Sequence, residues 1–125
     1  MADLTEILEG FTRVRGVSAA LVVGQDGLVL QSATGASAGD DATDVDILGA
    51  VAASGLVPAQ EIGRETQRGH LLQGIYEFER GVVVIEPLGS SAILVVVTTA
   101  AANLGLLRLQ ARKVHGDLEA AVGGL

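Results

Sequence analysis

The chain has 125 residues, a length that fits a single domain spanning 1–125. Hydrophobic residues make up 49% of it and aromatics only 2%, so the core must be built from Val, Leu, Ile and Ala. A net charge of −7 argues against a nucleic-acid backbone or an anionic membrane as partner, because both select clustered Lys and Arg. The absence of cysteine removes disulfide and thiol chemistry.

The opening MADLTEILEG carries acids where a signal peptide carries a basic head. The longest apolar run, Ala92 to Ala102, is far shorter than the roughly 20 residues of a spanning helix. A cytoplasmic location without membrane insertion is the expectation.

In chain order, DLTEILEGFTRVRG is the first helix: Leu4, Ile7, Leu8, Phe11 and Val14 recur at helical spacing on one face. Asp3 followed by Glu6 resembles a capping box, Arg13 and Arg15 suit the negative end of the helix dipole, and Gly16 can take the left-handed closing position. Val17 to Val23 is apolar on both faces, as in a strand covered on two sides. Gln25-Asp26-Gly27 supplies the positive φ of a hairpin turn, and Leu28 to Ala33 returns as the second strand.

TGASAGDDATD is a loop of small and acidic residues. A long helix follows from about Thr43 to about Gln67, with a stripe of Leu48, Val51, Ala52, Gly55, Leu56, Ala59, Ile62 and Gly63. Pro58 removes a backbone donor and crowds the preceding turn, which predicts a kink or a break into two helices. Three strands are expected between Leu71 and Thr99, with turns at Arg80-Gly81 and Gly89-Ser90-Ser91. Asn103 caps a last helix with a stripe of Leu104, Leu107, Ala111, Val114, Leu118 and Ala121, ended by Gly123-Gly124. The fold class is α/β (α+β) in the order α-β-β-α-β-β-β-α: a five-stranded antiparallel sheet with helices on both faces.

Signals for chemistry are weak. A phosphate-binding loop needs Gly-x-x-x-x-Gly-Lys-Ser/Thr after a strand, and the sole lysine, Lys113, lies within the last helix. The acids Asp40, Asp41, Asp44 and Asp46 lack the glycine and glutamate of a calcium loop, since the sixth and twelfth places counted from Asp41 hold Asp46 and Ala52. Anionic capping of a helix explains them better. His70 and His115 are read as having no ligand partner at metal-site spacing. Ser90-Ser91 suits a turn rather than a nucleophile. No cofactor or metal is expected, and no catalysis. Tyr76 and Phe78 share one face of the third strand, for core packing or for a partner. Arg64 and Arg68, at i and i+4 near the end of the second helix, answer its dipole or a partner.

The element order, GVSAALVVGQDGLVLQS after an amphipathic helix, the small-residue middle helix and the closing GVVVIEPLGSSAILVVVTTAAANLGLLRLQARK resemble the roadblock family, bacterial and archaeal relatives of dynein light chain roadblock. The resemblance covers nearly the whole chain. It implies a non-enzymatic module, dimeric through sheet edges and middle helices, that regulates or scaffolds a small Ras-like GTPase as the MglB type does. Pro58 departs from the uninterrupted middle helix the family implies.

A homodimer is therefore expected, with Leu71 to Phe78 as the paired edge and Leu72, Gly74, Tyr76, Phe78, Ala52 and Gly55 at the interface. The expected partner surface is Gln60, Glu61, Arg64, Gln67 and Arg68. The small residues Gly49, Ala52, Ala53 and Gly55 are expected to let two helices come close. The alternative, a small-ligand sensor with a pocket between sheet and helix, is opposed by a total of three aromatics. A hydrolase using Ser90 or Ser91 with a histidine stands third.

Overall fold

A computed structural model of the chain describes residues 3–35 and 44–124. The expected order holds: α1 (Leu4–Thr12), β1 (Val17–Gly24), β2 (Val29–Thr34), α2 (Val45–Glu65), β3 (Gly74–Phe78), β4 (Gly81–Leu88), β5 (Ala92–Thr98) and α3 (Leu104–Gly123). The five strands form one antiparallel sheet in the order β2-β1-β5-β4-β3. The two most apolar strands thus lie at or beside the centre, and every residue of β1 is buried.

Local chemistry sets the element ends. The Glu6 amide donates to Asp3 Oδ1 at 2.9 Å, and the Leu106 amide donates to Asn103 Oδ1 at 3.1 Å, so both expected caps form. Asp44 caps α2 by accepting from the Asp46 and Ile47 amides, as anionic capping requires. Asp40, Asp41 and Thr43 lie outside the described residues. In the β1–β2 turn Gly27 has φ +86 and the Leu28 amide donates to Asp26 Oδ1, which explains the Asp-Gly pair. Gly16 (φ +88) is left-handed as expected but lies in the turn before β1, because α1 already ends at Thr12 with Arg13 as its cap; a Cβ there would lie 2.5 Å from the Ala102 backbone.

α2 runs as one helix through Pro58, so of the expected kink or break into two helices the break does not occur. It ends at Glu65, sooner than Gln67. The Arg68 amide reaches back to the Gly63 carbonyl at 2.8 Å, and Gln67 takes the left-handed position with φ +56. Arg64 and Arg68 therefore do not share a helical face.

The sheet separates two cores. On one face α1 and α3 bury Leu8, Phe11, Leu107 and Leu118 against Val22, Val84, Leu94 and Val96. On the other, α2 buries only Gly49, Ala52 and Leu56 against strand residues that include Leu21, Val23, Ile93 and Val95. A Cβ on Gly49 would stand 2.8 Å from Val29 Cγ2. The small residues at 49 and 52 let α2 approach its own sheet, so they are not available to a second helix. This corrects the expectation for Ala52 as a dimer contact. It also reverses part of the expected stripe, since Val51 and Ile62 point outward, 63% and 66% exposed.

Candidate functional site

One group of exposed apolar side chains lies at the sheet edge. β3 pairs with β4 in the register Gly74–Ile85, Ile75–Val84, Tyr76–Val83, Glu77–Val82 and Phe78–Gly81. Opposite residues share a face, so Tyr76 and Phe78 lie on the α2 side and Ile75 and Glu77 on the α1/α3 side. α2 packs across β1, β2 and β5 and makes no extensive contact with β4 or β3. Tyr76 and Phe78 consequently stay exposed, at 46% and 62%, which overturns core packing as their role. Outward residues of α2 add Ile47, Val51, Val57 and Ile62, all more than 60% exposed.

The expected dimer residues divide accordingly. Tyr76, Phe78 and Gly74 lie on the outer strand, and Leu72 stands 82% exposed just before it. Ala52 is committed to the core. Gly55 is half-buried, with open space where a Cβ would sit.

The expected partner residues Gln60, Glu61, Arg64, Gln67 and Arg68 are all exposed, at the C-terminal end of α2 and the turn after it. Gln60 and Arg64 line a cleft of about 370 Å³ with Gly69 and His70. Arg64 is bridged to Glu61 at 3.2 Å. Both groups are well exposed, so the bridge contributes little to stability and does not tie Arg64 down.

α2 is also long and apolar enough, by length and composition, to cross a membrane, with a mean hydropathy of 1.3. In this fold its Ala52 and Leu56 are packed on the sheet.

The chemistry-bearing cluster that sequence reasoning missed lies on the opposite face. His115 Nδ1 is 3.0 Å from Glu86 Oε2, and its Nε2 is 2.6 Å from Glu119 Oε1. Gln73 Nε2 donates to the other oxygen of Glu86 at 3.4 Å. Glu86 is only 7% exposed, so its oxygens depend on these partners rather than on water. The hydrogen bond to Glu86 raises the imidazole pKa above its ordinary value, against the opposing effect of burial and with further help from Glu119. Glu119 stands four residues after His115, one helical turn away, a spacing that could have been noticed. Glu86, distant in sequence, was visible only as a lone charge inside an apolar strand. Each carboxylate takes a different ring nitrogen, so the three side chains do not converge on one point, and no group of three metal ligands occurs among the described residues. With both ring nitrogens engaged, His115 is not poised to serve Ser90 or Ser91, which lie in the β4–β5 turn.

Residues 3–98 match the family model described as Roadblock/LC7 domain. The chain belongs to the Roadblock/LC7 family. Two uncharacterised proteins of Methanocaldococcus jannaschii are each 31% identical to this Roadblock/LC7 chain over 117 residues, covering 94% of it and 97% of themselves. Among solved structures, the gliding protein MglB of Thermus thermophilus superposes with a TM-score of 0.87 at 22% identity, covering 96% of this chain and 88% of that one. A Roadblock/LC7 domain from Streptomyces avermitilis gives 0.82 at 20% identity, covering 97% and 98%. These likenesses confirm the fold expected from the element order.

Proposed function

We propose that this Roadblock/LC7 chain is a homodimeric, non-enzymatic binding module of the cytoplasm that regulates or scaffolds a small Ras-like GTPase. The observation that carries the proposal is the bare outer strand: β3 ends the sheet and leaves Tyr76 and Phe78 exposed on the α2 side. An unpaired edge strand is a template for a second strand. Pairing β3 with β3 around a two-fold axis continues the sheet and sets the two α2 helices on one face. Stable association of this kind buries on the order of 1,000 Å² or more in total. Leu72, Gly74, Tyr76, Phe78 and Gly55 belong to that interface.

The GTPase follows from family membership combined with the surface that such a dimer creates. Gln60, Glu61, Arg64, Gln67 and Arg68 would form its polar part, and an arginine desolvated there could carry roughly 2 kcal/mol of binding. Arg64 lies on a regular helix, and Arg68 is tied back to the Thr66 carbonyl at 3.3 Å. Stimulation by reordering the GTPase switch loops suits this placement better than an arginine reaching into the nucleotide site.

The test separates dimerisation from binding. Immobilised chain should retain a Ras-like GTPase from lysate of the source cells. Arg64→Ala and Gln60→Ala should then weaken that binding while light scattering still gives a dimer. Unchanged affinity in both, with loss instead on altering the Gln25-Asp26 turn, would move the site to the β1–β2 hairpin.

A further inference from the structure

On the α1/α3 side, the two ends of the edge strand carry opposite charge. α3 passes along this side with its first turns beside the far end of β3: Leu104 and Leu107 share a cleft of about 200 Å³ with Glu77, Phe78 and Glu79. Further along the helix, Arg108, Arg112 and His115 line a cleft of about 370 Å³ with Leu72, Gln73 and Glu86, at the near end of β3. One end of the edge is therefore acidic and the other basic. Arg80 follows Glu79 in the turn, and Lys113 lies next to Arg112 in the helix.

The basic end is not neutralised from within. Glu86 and Glu119 both engage His115, and Glu86 also accepts from Gln73. Among the described residues the ion pairs are Arg64–Glu61, His115–Glu86 and His115–Glu119, which leaves Arg108, Arg112, Glu77 and Glu79 without a partner within 4.0 Å. All four are exposed.

A two-fold axis normal to the sheet reverses strand direction and keeps both α3 helices on one side. Pairing with the middle residue, Tyr76, at the axis uses all five residues of β3. It sets Ile75 opposite Glu77 of the second copy and Gln73 opposite Glu79 of the second copy. Directly opposite residues share a face, with Cβ atoms about 5 Å apart. Gln73 already lies in the cleft with the two arginines, so each basic cleft receives the acids of the other protomer, twice per dimer.

We propose that Arg108 and Arg112 clamp Glu77 and Glu79 of a second copy across the β3–β3 junction, which makes the chain select itself as partner. The proposal rests on the β3-paired dimer proposed above and specifies what that interface recognises. A related chain without the same order of charges along its edge leaves unmatched or like charges facing each other, and these disfavour the mixed dimer. His115 contributes indirectly by engaging the buried Glu86 carboxylate.

Charge exchange tests the clamp. E77K/E79K should carry two basic ends and R108E/R112E two acidic ends, so each alone should dimerise at least about tenfold more weakly than the unaltered chain in sedimentation equilibrium at low salt. Mixed one to one, both junctions pair opposite charges again, and a heterodimer near the original affinity should form. That recovery would also show that both variants are folded. The chain has no cysteine, so Tyr76→Cys supplies an independent probe and should cross-link two copies under mild oxidation. Absence of that cross-link overturns the β3 pairing and the clamp together. A cross-link combined with variants that dimerise normally, or with weakened variants that do not recover on mixing, overturns the clamp and leaves the β3 pairing standing.

Discussion

The two edges of the sheet are built differently. β2, at one edge, is packed by α1 on one face and α2 on the other, and Gln31 Nε2 donates to Thr5 Oγ1 of α1 at 2.6 Å. β3, at the other edge, makes extensive contact only with β4, and its five residues are exposed or half-exposed. An edge flanked by helices is protected within the protomer. A bare edge with Tyr76 and Phe78 standing out calls for a cover supplied from outside. The same asymmetry separates the faces: the α1/α3 core is closed with large side chains, whereas α2 rests on the sheet chiefly by Gly49, Ala52 and Leu56 and turns Ile47, Val51, Val57 and Ile62 outward.

Truncating an aromatic on each side exposes the contrast. Phe11, fully buried under α1 and α3, should cost about 3–5 kcal/mol as Phe11→Ala. Phe78→Ala should change protomer stability by no more than about 0.5 kcal/mol while weakening association. Urea unfolding measured over a range of protein concentrations separates the two effects, because only association makes the midpoint concentration-dependent. A large loss from Phe78→Ala that is independent of concentration would place that ring in the protomer core.

Two glycines of α2 sharpen the division on a smaller scale. Gly49→Val should destabilise by roughly 1–3 kcal/mol, because the added Cβ alone meets Val29 at 2.8 Å. Gly55→Ala meets nothing within 4 Å and should stabilise the helix by up to about 1 kcal/mol. If it also weakens the dimer, the second copy approaches α2 at that point.

The link between β4 and α3 should add a pH signature. With the His115 pKa raised, the unfolded state binds fewer protons than the folded state between the ordinary value of about 6.5 and the raised one. The stabilisation is fully present below the ordinary value and is lost as pH rises through the raised one. Glu86→Gln should remove most of that slope, and an NMR titration of the His115 ring should move back toward the ordinary value. A ring that titrates identically in both proteins would mean that Glu86 does not govern it. Among the smallest effects, Gln67→Gly should stabilise by roughly 1 kcal/mol by relieving the left-handed backbone at φ +56.

Much of this architecture could be read from the residues. Alternating periods, the Asp3 and Asn103 caps and the Asp26-Gly27 turn act locally, and they give the element order and the starts of α1 and α3. What escaped depends on which side of α2 meets the sheet. Gly49, Ala52 and Leu56 define a narrow contact stripe, yet Val51 and Ile62 look equally suited to a core until the sheet is in place. Pro58 did not break the helix, and the residues that pack α2 on the sheet, Gly49, Ala52 and Leu56, all precede it. The expected partner residues were recognisable as exposed polar positions, but the end of α2 at Glu65 separates Arg68 from Arg64. The Glu86–His115–Glu119 cluster joins β4 to α3 across 29 residues of sequence, and only the fold brings it together.

The proposed dimer depends on β3 meeting a second β3. Amide hydrogen exchange across Gly74–Phe78, followed from nanomolar to high micromolar protein, measures that junction directly. The outward amides of β3 should gain protection as concentration rises and the mass should double over the same range, while the amides of β2 stay constant. Exchange on β3 that is fast and independent of concentration, with the mass of a single chain throughout, would contradict it.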